Sequence, residues 1–283
     1  MNKSDKKDFF QKMLSILFWL ALWQAGAMAL NKSIILVTPV AAVKRLFELI
    51  PQADFRRTVL NSFLRIGGGF MLALIMGTVL AALSAGYKLM RTLISPLMTA
   101  VKAVPVASFI IFALFFMKSR ELSVLISFLM VLPVIYEAVL EGAESTDREL
   151  KEAAEVFRLD GAKKLRYLYF PAVMPFLTAA CRTGAALAFK SGTAAEVIGQ
   201  PDLTMGDMLY RAKIYLETAD LFAWTLVIII LAKLFELLIS KALGFIYKRS
   251  QKVKIKGGVA PMTSKNFSKE RHTAPAANAV EFL

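Results

Sequence analysis

Apolar residues in this chain gather into blocks separated by short charged stretches. Each block is near the length of helix that crosses about 30 Å of hydrocarbon, roughly 20 residues. Six spans are predicted, at about residues 13–30, 60–85, 93–117, 122–140, 172–199 and 221–247. A barrel would show alternating segments of about 10 residues instead. The predicted fold class is therefore an all-α integral membrane protein with about six transmembrane helices.

The first block follows Lys3, Lys6 and Lys7 and contains Ala27-Met28-Ala29, so it is weighed against a signal peptide. Its apolar run is longer than a signal core and carries Trp19 and Trp23, which favours a retained helix. Gly69, Ala73, Gly77, Ala81 and Ala85 recur every four residues on the second span. Small residues on one helical face let backbones approach, so this stripe is predicted to be a packing seam. Pro105 and Pro133 are expected to kink their spans.

Charge then fixes the orientation. The chain is 57% hydrophobic with a formal net charge of +14. Its Lys and Arg residues flank the apolar blocks, which makes them topology signals and not a nucleic-acid surface. With the N-terminus inside, eighteen basic residues lie on the inner flanks and nine on the outer ones. That bias places both termini and the 141–170 loop in the cytoplasm. The lone Cys181 permits no intramolecular disulfide and reads as a packing residue, and the single His272 excludes a His-ligated metal centre. No metal site or cofactor is expected.

The longest inner connection, from Glu141 to Pro175, is dense in charge yet helically periodic. Leu150, Ala153, Ala154 and Phe157 share a stripe, Asp160-Gly161 signals a turn, and a second short helix over about 162–169 precedes Pro171. This predicts a helical hairpin at the inner membrane surface, either resting on the helix ends or offered to a cytoplasmic partner. Three regions follow: 1–54, with the N-terminus, first helix and outer segment; 55–247, the transmembrane core; and 248–283, a polar stretch expected to be a disordered cytoplasmic tail.

Glu152-Ala153-Ala154, followed by Phe170-Pro171, resembles the EAA loop of ABC importer permeases. The segment Val101 to Ala107 and the segment Ala188 to Gly199 are similar to those of the nitrate/taurine/sulfonate type, as is the stretch from Leu209 to Trp224. The resemblance covers about residues 55–247. It implies a type I importer permease fold in which the 141–170 loop is a cytoplasmic coupling hairpin seated on an ATPase. Glu152, Ala153, Ala154, Arg158, Gly161 and Pro171 are the residues implied for that coupling. Arg158 departs from the pattern, since the family usually places Gly there; the bend is therefore expected at Asp160-Gly161.

The resemblance further implies a multi-pass inner-membrane subunit working with cytoplasmic P-loop ATPases, an external solute-binding protein and a second permease subunit, expected as a homodimer in the lipid bilayer. No G-x-x-x-x-G-K-[ST] occurs in the chain, so another polypeptide must supply the nucleotide site.

Ionisable residues at membrane depth normally face a bundle interior or a wet path. Lys102, Arg182, Lys190 and Glu196 are the candidates for the translocation path. Were the three cations to share one lumen, an anionic solute such as nitrate, a sulfonate or taurine would be favoured. The family also includes importers of uncharged and cationic heterocycles, so the solute stays open. The bland reading has Lys102 snorkelling to the inner surface and Lys233 pairing with Glu236. An ion-gradient transporter titrating Glu196 and Lys190 is the alternative function. A membrane enzyme or scaffold is disfavoured for want of clustered acids, bases or ligands.

Overall fold

The computed structural model describes residues 3–30 and 35–256, and all of these elements are helical. Contacts divide the chain into the units Met1–Ser240 and Lys241–Leu283. The second holds the end of the last helix, which runs through Lys256, past the boundary expected at 247. The rest of the expected tail lies outside the described residues.

In order, the elements are α1 (Lys3–Leu30), α2 (Pro39–Leu49), α3 (Ala53–Gly86), α4 (Lys88–Ala103), α5 (Val106–Leu114), α6 (Ser119–Glu144), α7 (Arg148–Val156) and α8 (Gly161–Lys164). A single π-helical turn (Leu165–Tyr169) then leads into α9 (Phe170–Gly199), α10 (Met205–Ile214) and α11 (Thr218–Lys256). Five helices are long and apolar enough to cross a membrane, and the α4–α5 pair makes a sixth if taken together. That matches the predicted spans with one correction. The span expected as a single helix over 93–117 is two helices bent by 97°. Pro105 forces the residue before it into extended backbone, and Val104 accordingly sits at φ −77°, ψ 131°. Pro133, by contrast, lies inside an uninterrupted α6.

The core is α3, α6 and α9. The predicted small-residue seam is real: Gly69, Ala73, Gly77 and Ala81 are buried. At Gly69 a β-carbon would collide with the Val124 carbonyl and come within 2.9 Å of Ser127 Cβ, so glycine alone permits this approach of α3 to α6. Ala85 is exposed and the seam closes on Ser84 instead, whose Oγ accepts a 3.0 Å hydrogen bond from the Tyr136 hydroxyl. Phe235 of α11 stands edge-on to Phe70 of α3, with ring centroids 5.1 Å apart, and completes an aromatic cluster with Phe63 and Phe189. Cys181 is fully buried, as a packing residue should be. Lys233 does pair with Glu236, at 2.8 Å.

Two short helices, α2 and α10, were not predicted. Thr38 caps α2 by accepting a hydrogen bond from the Ala41 N–H, with Pro39 at its first position. Arg45 of α2 then bonds Asp220 at the start of α11, with Nη2 3.1 Å from Oδ2. That hydrogen-bonded carboxylate holds the Arg45 guanidinium above its ordinary pKa.

Candidate functional site

Helices α4, α6 and α9 wall a cavity of about 580 Å³. Its lining is mostly apolar, with Met130, Pro133, Phe176 and Leu187 among the contributors, and its polar groups are Lys102, Glu137, Glu141 and Thr183. Lys102 Nζ donates to both oxygens of Glu137, at 2.8 and 2.9 Å, so the cation at the end of α4 is neutralised from α6. Both side chains remain about half exposed, at 50% and 49%.

The four path candidates are not brought together. Lys102 lines the cavity. Arg182 lies one residue from the lining Thr183, a turn of about 100° around the helix, and its Nε donates to Ser240 Oγ at 3.3 Å. Lys190 is exposed on α9, three residues beyond Leu187, and does not line the cavity. Glu196 is wholly buried. The single lumen of three cations is therefore not formed. Glu137, Glu141 and Thr183 escaped the sequence reading, although Glu137 is a carboxylate inside a predicted span and could have been flagged on that ground.

Glu196 instead works inside the protein. Its Oε2 accepts hydrogen bonds from the Ser62 hydroxyl at 2.8 Å and from the Gly206 N–H at 3.2 Å. Ser62 Oγ in turn accepts from the Met205 N–H at 2.8 Å. The first two N–H groups of α10 thus end on α9 and α3, and a carboxylate faces the positive end of the short helix. The loop before it carries Gln200 and Leu203 at positive φ, 49° and 55°. Asn61 Nδ2 donates to the Leu203 carbonyl at 3.1 Å and holds that strained turn. These contacts form a clasp seating α10 across the ends of α3 and α9.

The predicted hairpin is present. Asp147 caps α7 by accepting from the Glu149 N–H at 3.0 Å. Glu152 accepts from Arg148 Nε at 2.8 Å on the exposed face, while Ala154 is buried. Val156 and Phe157 stand out at the tip, 80% and 77% exposed.

The bend differs from expectation. It falls at Arg158, whose φ is 46°. The Leu159 N–H donates to the Ala154 carbonyl and the Arg158 N–H to the Glu155 carbonyl, at 3.0 and 2.9 Å. This is a Schellman closure with arginine at the left-handed position where glycine is favoured. Asp160 caps α8 and Gly161 has ordinary helical backbone as its first residue. The backbone at Arg158 thus takes the left-handed form that glycine adopts without cost. Arg158→Gly is expected to relieve about 1 kcal/mol of left-handed strain. Hydrogen exchange at the Leu159 amide should slow in that variant, and unchanged or faster exchange would contradict the strain. Pro171 lies in the first turn of α9, so α8, the π-helical turn and the span run on as one rod from Gly161 to Gly199.

Residues 61–252 match the family model described as the binding-protein-dependent transport system inner membrane component. A probable ABC transporter permease protein of Brucella melitensis is 25% identical over 225 residues, covering 79% of this chain and 89% of the relative. A nitrate import permease protein of Synechocystis is 23% identical over 143 residues, 50% of this chain and 51% of its own. Among solved structures, an amino acid ABC transporter with histidines shares the fold at a TM-score of 0.52 and 17% identity, over 69% of this chain and 93% of that one.

Proposed function

Because the chain belongs to the family of binding-protein-dependent transport inner membrane components, we propose that two copies of it form a solute path through the inner membrane, driven by ATPases docked on the α7–α8 hairpin. The coarser part of this follows from membership. The chain is the multi-pass permease subunit of an ABC importer, has no enzymatic activity of its own, and serves a system that includes an ATPase and a binding protein.

The observation that carries the finer reading is the rod. An apolar tip at Val156 and Phe157 stands at the turn before Gly161, and from Gly161 the chain runs as continuous helix into α9, which walls the cavity. A push on the tip is delivered to the cavity wall through the short turn 157–160, which is pinned by the Leu159–Ala154 and Arg158–Glu155 hydrogen bonds and by the Asp160 cap. The excess of basic residues on the inner flanks supports a hairpin and termini on the cytoplasmic side, where the ATPase would dock. Glu152, Ala153, Ala154, Arg158 and Gly161 shape or flank the dock, and Pro171 marks its passage into the span.

The solute is a small molecule entering from an external binding protein. An anion such as nitrate, a sulfonate or taurine draws no support from a shared cationic lumen, since Lys102 is paired with Glu137, Arg182 turns to Ser240 and Lys190 stands outside the cavity lining. Nitrate itself is named only for the Synechocystis relative, alike over half of this chain. The gradient-driven alternative needed Glu196 and Lys190 as a pair, and the hydrogen bonds of Glu196 go to Ser62 and Gly206 instead.

The test is purification of the tagged chain in mild detergent, beside a Phe157→Asp variant. A P-loop ATPase is expected with the unaltered chain and is expected to be lost from the variant. Equal recovery of the ATPase with both would remove the hairpin tip from the dock. A chain that purifies alone and moves solute without ATP would overturn the reading.

A further inference from the structure

The charges on the cavity wall do not cancel. Lys102, in the last turn of α4, is engaged by both oxygens of Glu137. Glu141 lines the same cavity one turn further along α6. Among the described residues its carboxylate has no hydrogen-bond or ion-pair partner. Arg182 supplies none, since it turns to Ser240. One carboxylate is therefore left over, and the lining is net negative.

The surroundings of Glu141 act in the same sense. It stands in the last turn of α6, which ends at Glu144 and contains no basic residue. A helix C-terminus is itself negative and favours a cation. Glu144 shows the ordinary arrangement for such a position, pairing with Arg91 outside the cavity lining. Glu141 has no such partner and faces the cavity instead.

An aromatic ring lies close by. At Gly142 the helices α6 and α9 approach so tightly that a β-carbon would come 2.8 Å from Val173 Cα and 3.3 Å from Phe176 Cδ2. That approach sets the Phe176 ring on the cavity wall at the level of Glu141. A ring face and a carboxylate recognise a positively charged nitrogen together, one through its quadrupole and the other through its charge. The cavity, at about 580 Å³, has the size of a small-molecule site, and the rest of its wall, with Met130 and Leu187, is apolar.

We propose that the solute passing this cavity is a small organic cation, a protonated amine or cationic heterocycle on an apolar body, whose positive nitrogen is held by Glu141 and Phe176. The inference rests on the permease reading and names the substrate class of the same cavity. An anion would meet the free carboxylate and find Lys102 already engaged by Glu137.

Ligand-detected NMR on the permease–ATPase complex in phosphatidylcholine nanodiscs tests this, corrected for binding to empty nanodiscs. The probes are benzylammonium and benzenesulfonate, which share an aromatic body and carry opposite charges. Benzylammonium is expected to bind at least about tenfold more tightly, the usual scale for one charged contact in a dry site. Glu141→Gln should abolish that preference, and Glu144→Gln, altered outside the lining, should keep it. Lys102→Met should tighten benzylammonium several-fold by freeing Glu137. Equal or reversed preference in the parent, a preference that survives Glu141→Gln, or no binding of either probe overturns the assignment. So does loss of the preference in Glu144→Gln, which would assign it to the charge of the helix end and not to the cavity. Recovery of the chain without an ATPase would instead strike the permease reading, while the probe preference, read on the chain alone, still decides the charge the cavity selects.

Discussion

Replacing Gly206 with leucine is expected to abolish uptake and to destabilise the purified permease. A β-carbon at Gly206 would overlap the Glu196 side chain and come within 2.6 Å of the backbone of Glu196 and Val197. Those atoms belong to α9 and cannot swing aside as a flexible side chain would. The substitution therefore has to lift the start of α10. Overpacking of this kind costs about 1–3 kcal/mol, and lifting also breaks the bonds from Gly206 to Glu196 and from Met205 to Ser62. Leaving buried acceptors unpaired adds about 1–3 kcal/mol each. The sum exceeds what a short helix can recover elsewhere. A fluorescence melt of the purified variant should shift down by several degrees, and a cysteine placed at Ala212, which is buried in the seated helix, should label faster with a maleimide. A variant that melts and labels like the parent would show that α10 is not seated through this clasp.

The second large effect is expected at Glu152. Its only described partner is Arg148, one turn back on an exposed face, and such i,i+4 pairs are worth about 0.3–0.5 kcal/mol. Glu152→Lys should leave insertion and folding intact while reversing the charge presented to the ATPase. ATP-driven uptake in reconstituted vesicles is expected to fall at least about tenfold, since a reversed charge at a docked surface costs on the order of 2 kcal/mol. Hydrolysis by the associated ATPase should no longer follow solute. Uptake at the parental rate would remove Glu152 from the coupling surface. A simultaneous Arg148→Glu change would restore the pair within the helix, so rescue by it would assign the defect to α7 itself.

Five of the six spans were legible as single helices because each is a long block whose hydrophobicity does not depend on what it touches, whereas the block over 93–117 is broken at Pro105. The hairpin was legible for a related reason: its apolar stripe and its two short helices are local. What failed was everything set by distant partners. Ser62 and Glu196 are far apart in sequence, and nothing in either segment announces that they share hydrogen bonds. Arg182 and Lys190 are eight residues apart, about 80° around a helix, so a stricter projection would have separated them. Helix α2 was announced by Thr38-Pro39 but is too short to register as a span. The bend at Arg158 could not be read from composition, because arginine is an unfavourable choice for the backbone it adopts there.

The π-helical turn between α8 and α9 sets an angle. It fits one residue more into the rod than an α-helix would over the same rise. The faces before and after it are thus out of step by about 100°, the rotation of one residue. The direction in which the hairpin points relative to the cavity wall is consequently a matter of residue count. No contact between the two ends is needed to maintain it. A single insertion or deletion within Leu165–Tyr169 would leave both ends well folded and aim the tip elsewhere, much as a shaft keyed one tooth wrong still turns but drives nothing.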